Sequence, residues 1–132
     1  MKFSTKSQYG LRAIAYLSTN QVTPLKVIAR KENISPDYLE KIMAKLERAG
    51  YIRAKRGSQG GYFLAKRPEK IKISEIIKTL EGDVSLVRCL DRTGYRCPRQ
   101  RLCKTKKVWK KIKDTLYSTL SSITLADISK KI

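Results

Sequence analysis

The sequence predicts a mostly α-helical protein with a small β wing, a winged helix-turn-helix domain followed by a long C-terminal dimerisation helix. Three observations carry this prediction. Two short helical patterns, opened by Thr23-Pro24 and Ser35-Pro36, follow each other with only a tight Asn33-Ile34 turn between them, which is the helix-turn-helix spacing. A basic alternating stretch then leads into a glycine-rich turn and a second alternating stretch. Finally, the longest amphipathic pattern lies near the C-terminus, where little core remains for it to pack on.

In chain order, residues 4–19 read as a helix whose Leu11, Ile14, Ala15 and Ser18 share a stripe, with Leu17 beside it. Thr23-Pro24 reads as an N-cap and first-turn proline, opening a helix with Leu25, Ile28 and Ala29 on one face. Ser35-Pro36 repeats the signal. The helix behind it aligns Leu39, Ile42, Met43, Leu46 and Ala49 and stops at Gly50. Tyr51–Arg56 and Tyr62–Lys66 read as paired strands around a turn over residues 57–61. Pro68–Ile73 reads as an extended connector, and Ser74 as the cap of a brief helix ending at Gly82. Residues 83–103 show no period. From Lys104 to Ser121 runs the longest helical pattern, with Val108, Trp109, Ile112, Leu116, Tyr117, Leu120 and Ile123 on a stripe, and this helix is expected to meet a copy of itself. The division is therefore residues 1–82 as a DNA-binding domain, 83–103 as a cysteine-containing sensor loop, and 104–132 as a dimerisation helix with a short C-terminal helix.

Charge narrows the function. The chain has 132 residues, with 30 Lys plus Arg against 11 Asp plus Glu and a net charge of +19. Both halves share the excess, which points to a polyanionic partner. With 41% hydrophobic residues the chain is too apolar to be only a disordered basic tail. The longest apolar run, Ala13–Leu17, is five residues, against the roughly 20 of a membrane helix, so no membrane partner is expected. Arg12 interrupts the only candidate signal-peptide core, so the expected location is cytoplasmic. There is no histidine. That removes imidazole acid–base catalysis and imidazole metal sites, and the acids are scattered singly, so an enzyme is not expected.

In a helix-turn-helix the N-terminal residues of the second helix lie nearest the bases. Here these are Ser35, Asp37, Tyr38, Glu40 and Lys41. Glu can accept from cytosine N4 and Lys can donate to guanine. A plain N-cap role for Ser35 is compatible with a DNA contact. At the wing, Arg53, Lys55 and Arg56 flank a glycine-rich tip that includes Gly60. Backbone that approaches phosphate closely needs to be bare, and Arg56 has the reach for a narrow minor groove. Cys89, Cys97 and Cys103 lie in a run, residues 88–113, with eleven bases and one acid. A positive setting favours thiolate. The spacing lacks paired zinc knuckles. It leaves open an iron–sulfur cluster, a disulfide switch and incidental cysteines.

Several ordered motifs resemble the Rrf2 family of bacterial repressors. They are the opening residues 1–13, Ile34-Ser35-Pro36-Asp37-Tyr38-Leu39-Glu40-Lys41, Lys45-Leu46, Ala49-Gly50, the wing residues 56–65 and the closing residues 122–127. The resemblance spans essentially the whole chain. It implies a dimeric winged-helix transcription factor on a double-stranded DNA operator, in a family that senses iron–sulfur status, nitric oxide or cysteine supply. It further implies that Cys89, Cys97 and Cys103 hold an iron–sulfur cluster of 2Fe–2S or 4Fe–4S type, since Cys103 lies six residues ahead of Trp109 as in cluster-binding members. Two departures stand out. Lys106 occupies the position of a ligating His, and Gln8 that of an Asp supplied by the partner. The fourth ligand is then Gln8 of the partner subunit, Asp91, or a solvent or thiol ligand. Lys41 stands where a Gln is common, so the operator is expected to differ. The alternatives are a metal-free regulator of the same fold answering to a protein partner or a disulfide, and a basic iron–sulfur electron carrier.

Overall fold

The computed structural model describes residues 2–82, 86–91 and 94–129. Helix α1 (Thr5–Ser18) begins behind Ser4, whose hydroxyl accepts the Ser7 N–H at 3.4 Å. Ser7, Gly10, Ala13, Ile14 and Leu17 turn inward at helical spacing. Helix α2 (Leu25–Glu32) ends at Asn33, which adopts the left-handed conformation (φ 54°). That residue makes the sharp turn into α3 (Pro36–Arg48), which buries Leu39, Ile42, Met43 and Leu46.

Strands β1 (Ile52–Lys55) and β2 (Gly61–Leu64) pair antiparallel, with Ile52 opposite Leu64 and Lys55 opposite Gly61. Both are shorter than the sequence suggests. Thr23 is not the cap of α2. Pro24 takes that position, and Thr23 exchanges two backbone hydrogen bonds with Tyr62 (2.9 and 2.8 Å), so the segment before α2 lies alongside β2. The approach is close enough that a Cβ on Gly61 (φ 151°) would stand 2.3 Å from the Thr23 carbonyl carbon. Only glycine fits there.

Helix α4 (Ile73–Glu81) starts two residues earlier than expected. Ser74 is buried within its first turn rather than capping it, and Lys72 is the N-cap. Pro68–Lys70, expected to be extended, forms a 3-10 turn. Helix α5 (Lys106–Ser122) starts two residues later than predicted, and α6 (Leu125–Ser129) follows. The segment behind α5 packs into the body of the protein. Ile73 N–H donates to Ile123 O at 2.9 Å and Leu125 N–H to Ile71 O at 2.8 Å. Leu125 is 0% exposed within the same core as Ile14, Ile42, Leu46 and Ile76. Thr124, just ahead of α6, donates its N–H and hydroxyl to Asp127 Oδ2, which satisfies backbone donors that a helix start leaves open.

Candidate nucleic-acid interface and sensor segment

Asp37, Glu40 and Lys41 lie exposed on α3 away from its buried stripe, and Ser35 is exposed at its N-cap. Ser35 occupies the N-cap position, yet its side chain makes no capping bond. Its exposed hydroxyl is therefore available to an external acceptor or donor. Asp37 in the first turn suits the positive end of the helix dipole. Tyr38 differs from its neighbours. It is half-buried, its ring meets Tyr9 edge-on (centroids 5.8 Å apart, 88° between planes), and its hydroxyl lies 3.0 Å from Thr5 Oγ1. The residue braces α3 on α1. Arg12 lies over the Tyr9 ring (5.4 Å) and pairs with Glu32 of α2 at 3.3 Å, tying the same three helices together.

The wing places Arg53, Lys55 and Arg56 in solvent. Gly60 closes the tip by donating its N–H to Gly57 O at 3.0 Å. A Cβ on Gly60 would lie 2.1 Å from Lys55 O, so the turn itself demands glycine there, whatever the wing touches. Tyr62 ties wing to reading helix. Burial first, then Glu47 and Glu40 of α3, push its hydroxyl pKa upward. Arg48, also exposed on α3, extends the basic surface beyond the residues that sequence reasoning selected.

In the cysteine-containing segment, Cys89 sits in a single 3-10 turn (Arg88–Leu90), held to α5 by Lys113 Nζ donating to Leu90 O at 3.0 Å. Arg88 stacks over Tyr95 at 4.1 Å, an exposed cation–π contact worth about 0.5–1 kcal/mol. Cys89, Cys97 and Cys103 are half-buried free thiols. The positive setting is not the main influence on Cys103. Its pKa is lowered by the Thr105 hydroxyl, 3.3 Å away, then by the Thr105 and Lys106 backbone N–H groups where α5 starts, with Arg99 last. Asp91 is half-buried just after the Cys89 turn, and its N–H donates to Arg88 O at 3.0 Å. Gln8 is exposed on α1, with its side-chain amide donating to Phe3 O at 2.9 Å.

As a donor set, three thiols with a lowered pKa at one of them suit soft-metal ligation in kind. The geometry does not assemble them. Among the described residues no three Cys, Asp or Glu side chains converge on a point that would hold a metal ion.

Helix α5 packs on α4 with Lys113, Leu116 and Leu120 half-buried. On the adjoining arc Val108 (54% exposed), Trp109 (38%) and Ile112 (41%) face outward. Among the described residues no helix is long and apolar enough to cross a membrane.

A family model described as "Rrf2: Iron-dependent Transcriptional regulator" matches residues 3–131. The protein Rrf2 of Nitratidesulfovibrio vulgaris is 37% identical over 131 residues, covering 97% of this chain and 87% of that protein. The structure of CymR, the global cysteine regulator of B. subtilis, superposes with TM-score 0.80 at 36% identity, over 98% of this chain and 96% of that one. That of T. potens IscR gives TM-score 0.78 at 37% identity, over 97% and 85%. Such extents of identity and superposition, on a fold with an exposed helix-turn-helix and wing, leave no room for the electron-carrier or enzyme alternatives. The chain belongs to the Rrf2 family of winged-helix, DNA-binding transcriptional regulators.

Proposed function

We propose that this chain is a cytoplasmic homodimeric repressor whose grip on a pseudo-palindromic operator is set by the chemical state of Cys89, Cys97 and Cys103. The observation that carries the proposal is the exposed apolar arc of Val108, Trp109 and Ile112 on α5, on the same chain as an intact reading head. Contiguous apolar surface of this kind marks an interface. A second copy of the same helix covers it isologously. Two α3 helices then enter successive major grooves, about 34–36 Å apart. Ser35, Asp37, Glu40 and Lys41 meet base edges, Tyr38 offers its edge beside them, and Arg56 reaches the minor groove next to a tip that Gly60 keeps compact. The family description as iron-dependent and the cysteine regulator among the neighbours support a sensor role for the thiols. An iron–sulfur cluster of 2Fe–2S or 4Fe–4S type on the three cysteines requires the segment to draw together and a fourth ligand, for which Gln8 of the partner subunit is the candidate. The cysteine regulator among the structural neighbours supports, as a second reading, metal-free control by thiol oxidation.

The test combines selection of an operator from random duplexes with sedimentation and an anaerobic optical spectrum and iron count. The expected result is a dimer that recovers a two-fold-related sequence and changes affinity with the state of its cysteines. Ile112→Glu should shift the protein to monomer and weaken operator binding by at least about tenfold, the loss of one tethered half-site. A wild-type chain that sediments as a monomer and selects no sequence overturns the proposal. Colourless, iron-free protein that still responds to a thiol oxidant assigns the control to thiol chemistry alone. Cys→Ser changes made one at a time then show which sulfurs carry it.

A further inference from the structure

The last turn of α4 carries an acid, Glu81, where the helix dipole favours a base. Its carboxylate is committed to a distant element. It accepts the backbone N–H of Ser4 and, at 2.7 Å, the hydroxyl of Ser7, and so caps the start of α1 across more than seventy residues of sequence. Ser7 is 1% exposed, so its hydroxyl has no water to turn to and losing this acceptor is costly. Burial works against the charge, but the bonds from Ser4 and Ser7, with Lys6 nearby, outweigh it and hold the Glu81 carboxyl below its ordinary pKa.

The same turn of α1 holds the reading helix. Thr5, between the two serines, places its hydroxyl 3.0 Å from the Tyr38 hydroxyl of α3. One turn later Tyr9 meets the Tyr38 ring. On the other side, α4 ends at Gly82 and Cys89 follows eight residues after Glu81. The Cys89 turn is bonded to α5 through Lys113, and α5 packs on α4.

We infer that Glu81 is a positioning residue for DNA binding, registering the first turn of α1, and through Thr5 and Tyr38 the reading helix α3, against the end of α4 from which the cysteine segment departs. This rests on the reading of the chain as a thiol-controlled operator binder. A displacement of the last turn of α4 reaches α3 through two hydrogen-bonded steps on one helical turn. These are short polar contacts with defined partners, the kind of element that has discrete made and broken arrangements.

The experiment uses the full chain and an operator duplex that the wild type has selected. Affinity is read by fluorescence anisotropy in two pairs of states: reduced against diamide-oxidised, and iron-free against anaerobically reconstituted with ferrous iron and sulfide. The wild type is expected to distinguish at least one pair, with a ratio in the roughly 5–150-fold range of two-site coupling. A wild type that distinguishes neither overturns the underlying reading and this inference with it. If it responds, Glu81→Ala should compress the ratio to about twofold or less, Thr5→Val should do the same, and the double variant should lose no more than either alone. Glu81→Gln, which keeps an acceptor oxygen for Ser4 and Ser7, should fall between the wild type and Glu81→Ala. A Glu81→Ala protein with the full wild-type ratio overturns the inference, as do losses that multiply independently in the double variant. Thr5 is exposed, so Thr5→Val decides the matter if Glu81→Ala does not fold: a full ratio in it overturns the inference and a compressed one supports it.

Discussion

Glycine 61 and Glu81 show how single residues fix this structure. At Gly61 the chain passes so near the Thr23 backbone that any side chain collides with main-chain atoms, which cannot rotate away. Gly61→Ala is expected to destabilise the protein by about 1–3 kcal/mol, the usual cost of overpacking, read as a lower urea midpoint at unchanged slope. Unchanged stability would mean that the Thr23–Tyr62 pairing yields easily. For Glu81, a pKa lowered in the native state means that the unfolded chain binds the proton more readily. Its stabilisation is complete above the ordinary carboxylate range and is lost as the pH falls from there through the lowered native value. Melting temperature against pH should therefore drop on the acid side, with a shallower drop in Glu81→Gln. Parallel curves would show that the Ser4 and Ser7 hydrogen bonds do not discriminate between the two protonation states. Neither residue announces its role locally. Glu81 and Ser4 are far apart in sequence, and the one local hint is an acid at the wrong end of a helix.

Among the elements, α1, α2 and α3 are legible because apolar spacing, a left-handed Asn33 and a Ser-Pro start are all local signals. The exposed residues of α3, on which the proposed recognition surface rests, follow as the complement of its buried stripe. Sequence and structure part where tertiary packing overrides local chemistry. Thr23 has the composition of a cap but is taken by Tyr62, and Ser74 is drawn inside by the core. The cysteine segment is illegible in structure because nothing periodic organises it. The C-terminal segment departs furthest from expectation: its sequence suggests an appendage to the dimerisation helix, but Leu125 builds it into the winged-helix core. Leu125→Ala should cost about 2–5 kcal/mol, as for other fully buried leucines, and should broaden or lower the single unfolding transition of the whole chain. A transition identical to that of the wild type would place α6 outside the cooperative unit.

At the scale of the whole molecule, a net charge of +19 dominates any encounter with DNA. Operator affinity should fall linearly on a log–log plot against salt, with a slope of about −0.9 for each phosphate neutralised in the duplex. Replacing Arg53 or Arg56 of the wing by Ala should flatten that slope by about one unit for each phosphate that the variant no longer neutralises. An unaltered slope would remove the wing from the phosphate-binding surface. The joining of the C-terminal segment to the start of α4 also has a consequence. Because Ile123 and Leu125 are stitched to Ile73 and Ile71, α5 is not a tail trailing from a flexible tether but a beam seated in the body that carries α3. In the proposed dimer, rotation at the crossing of two such beams would be transmitted without slack, so the preferred half-site separation would gauge the angle at which the subunits cross.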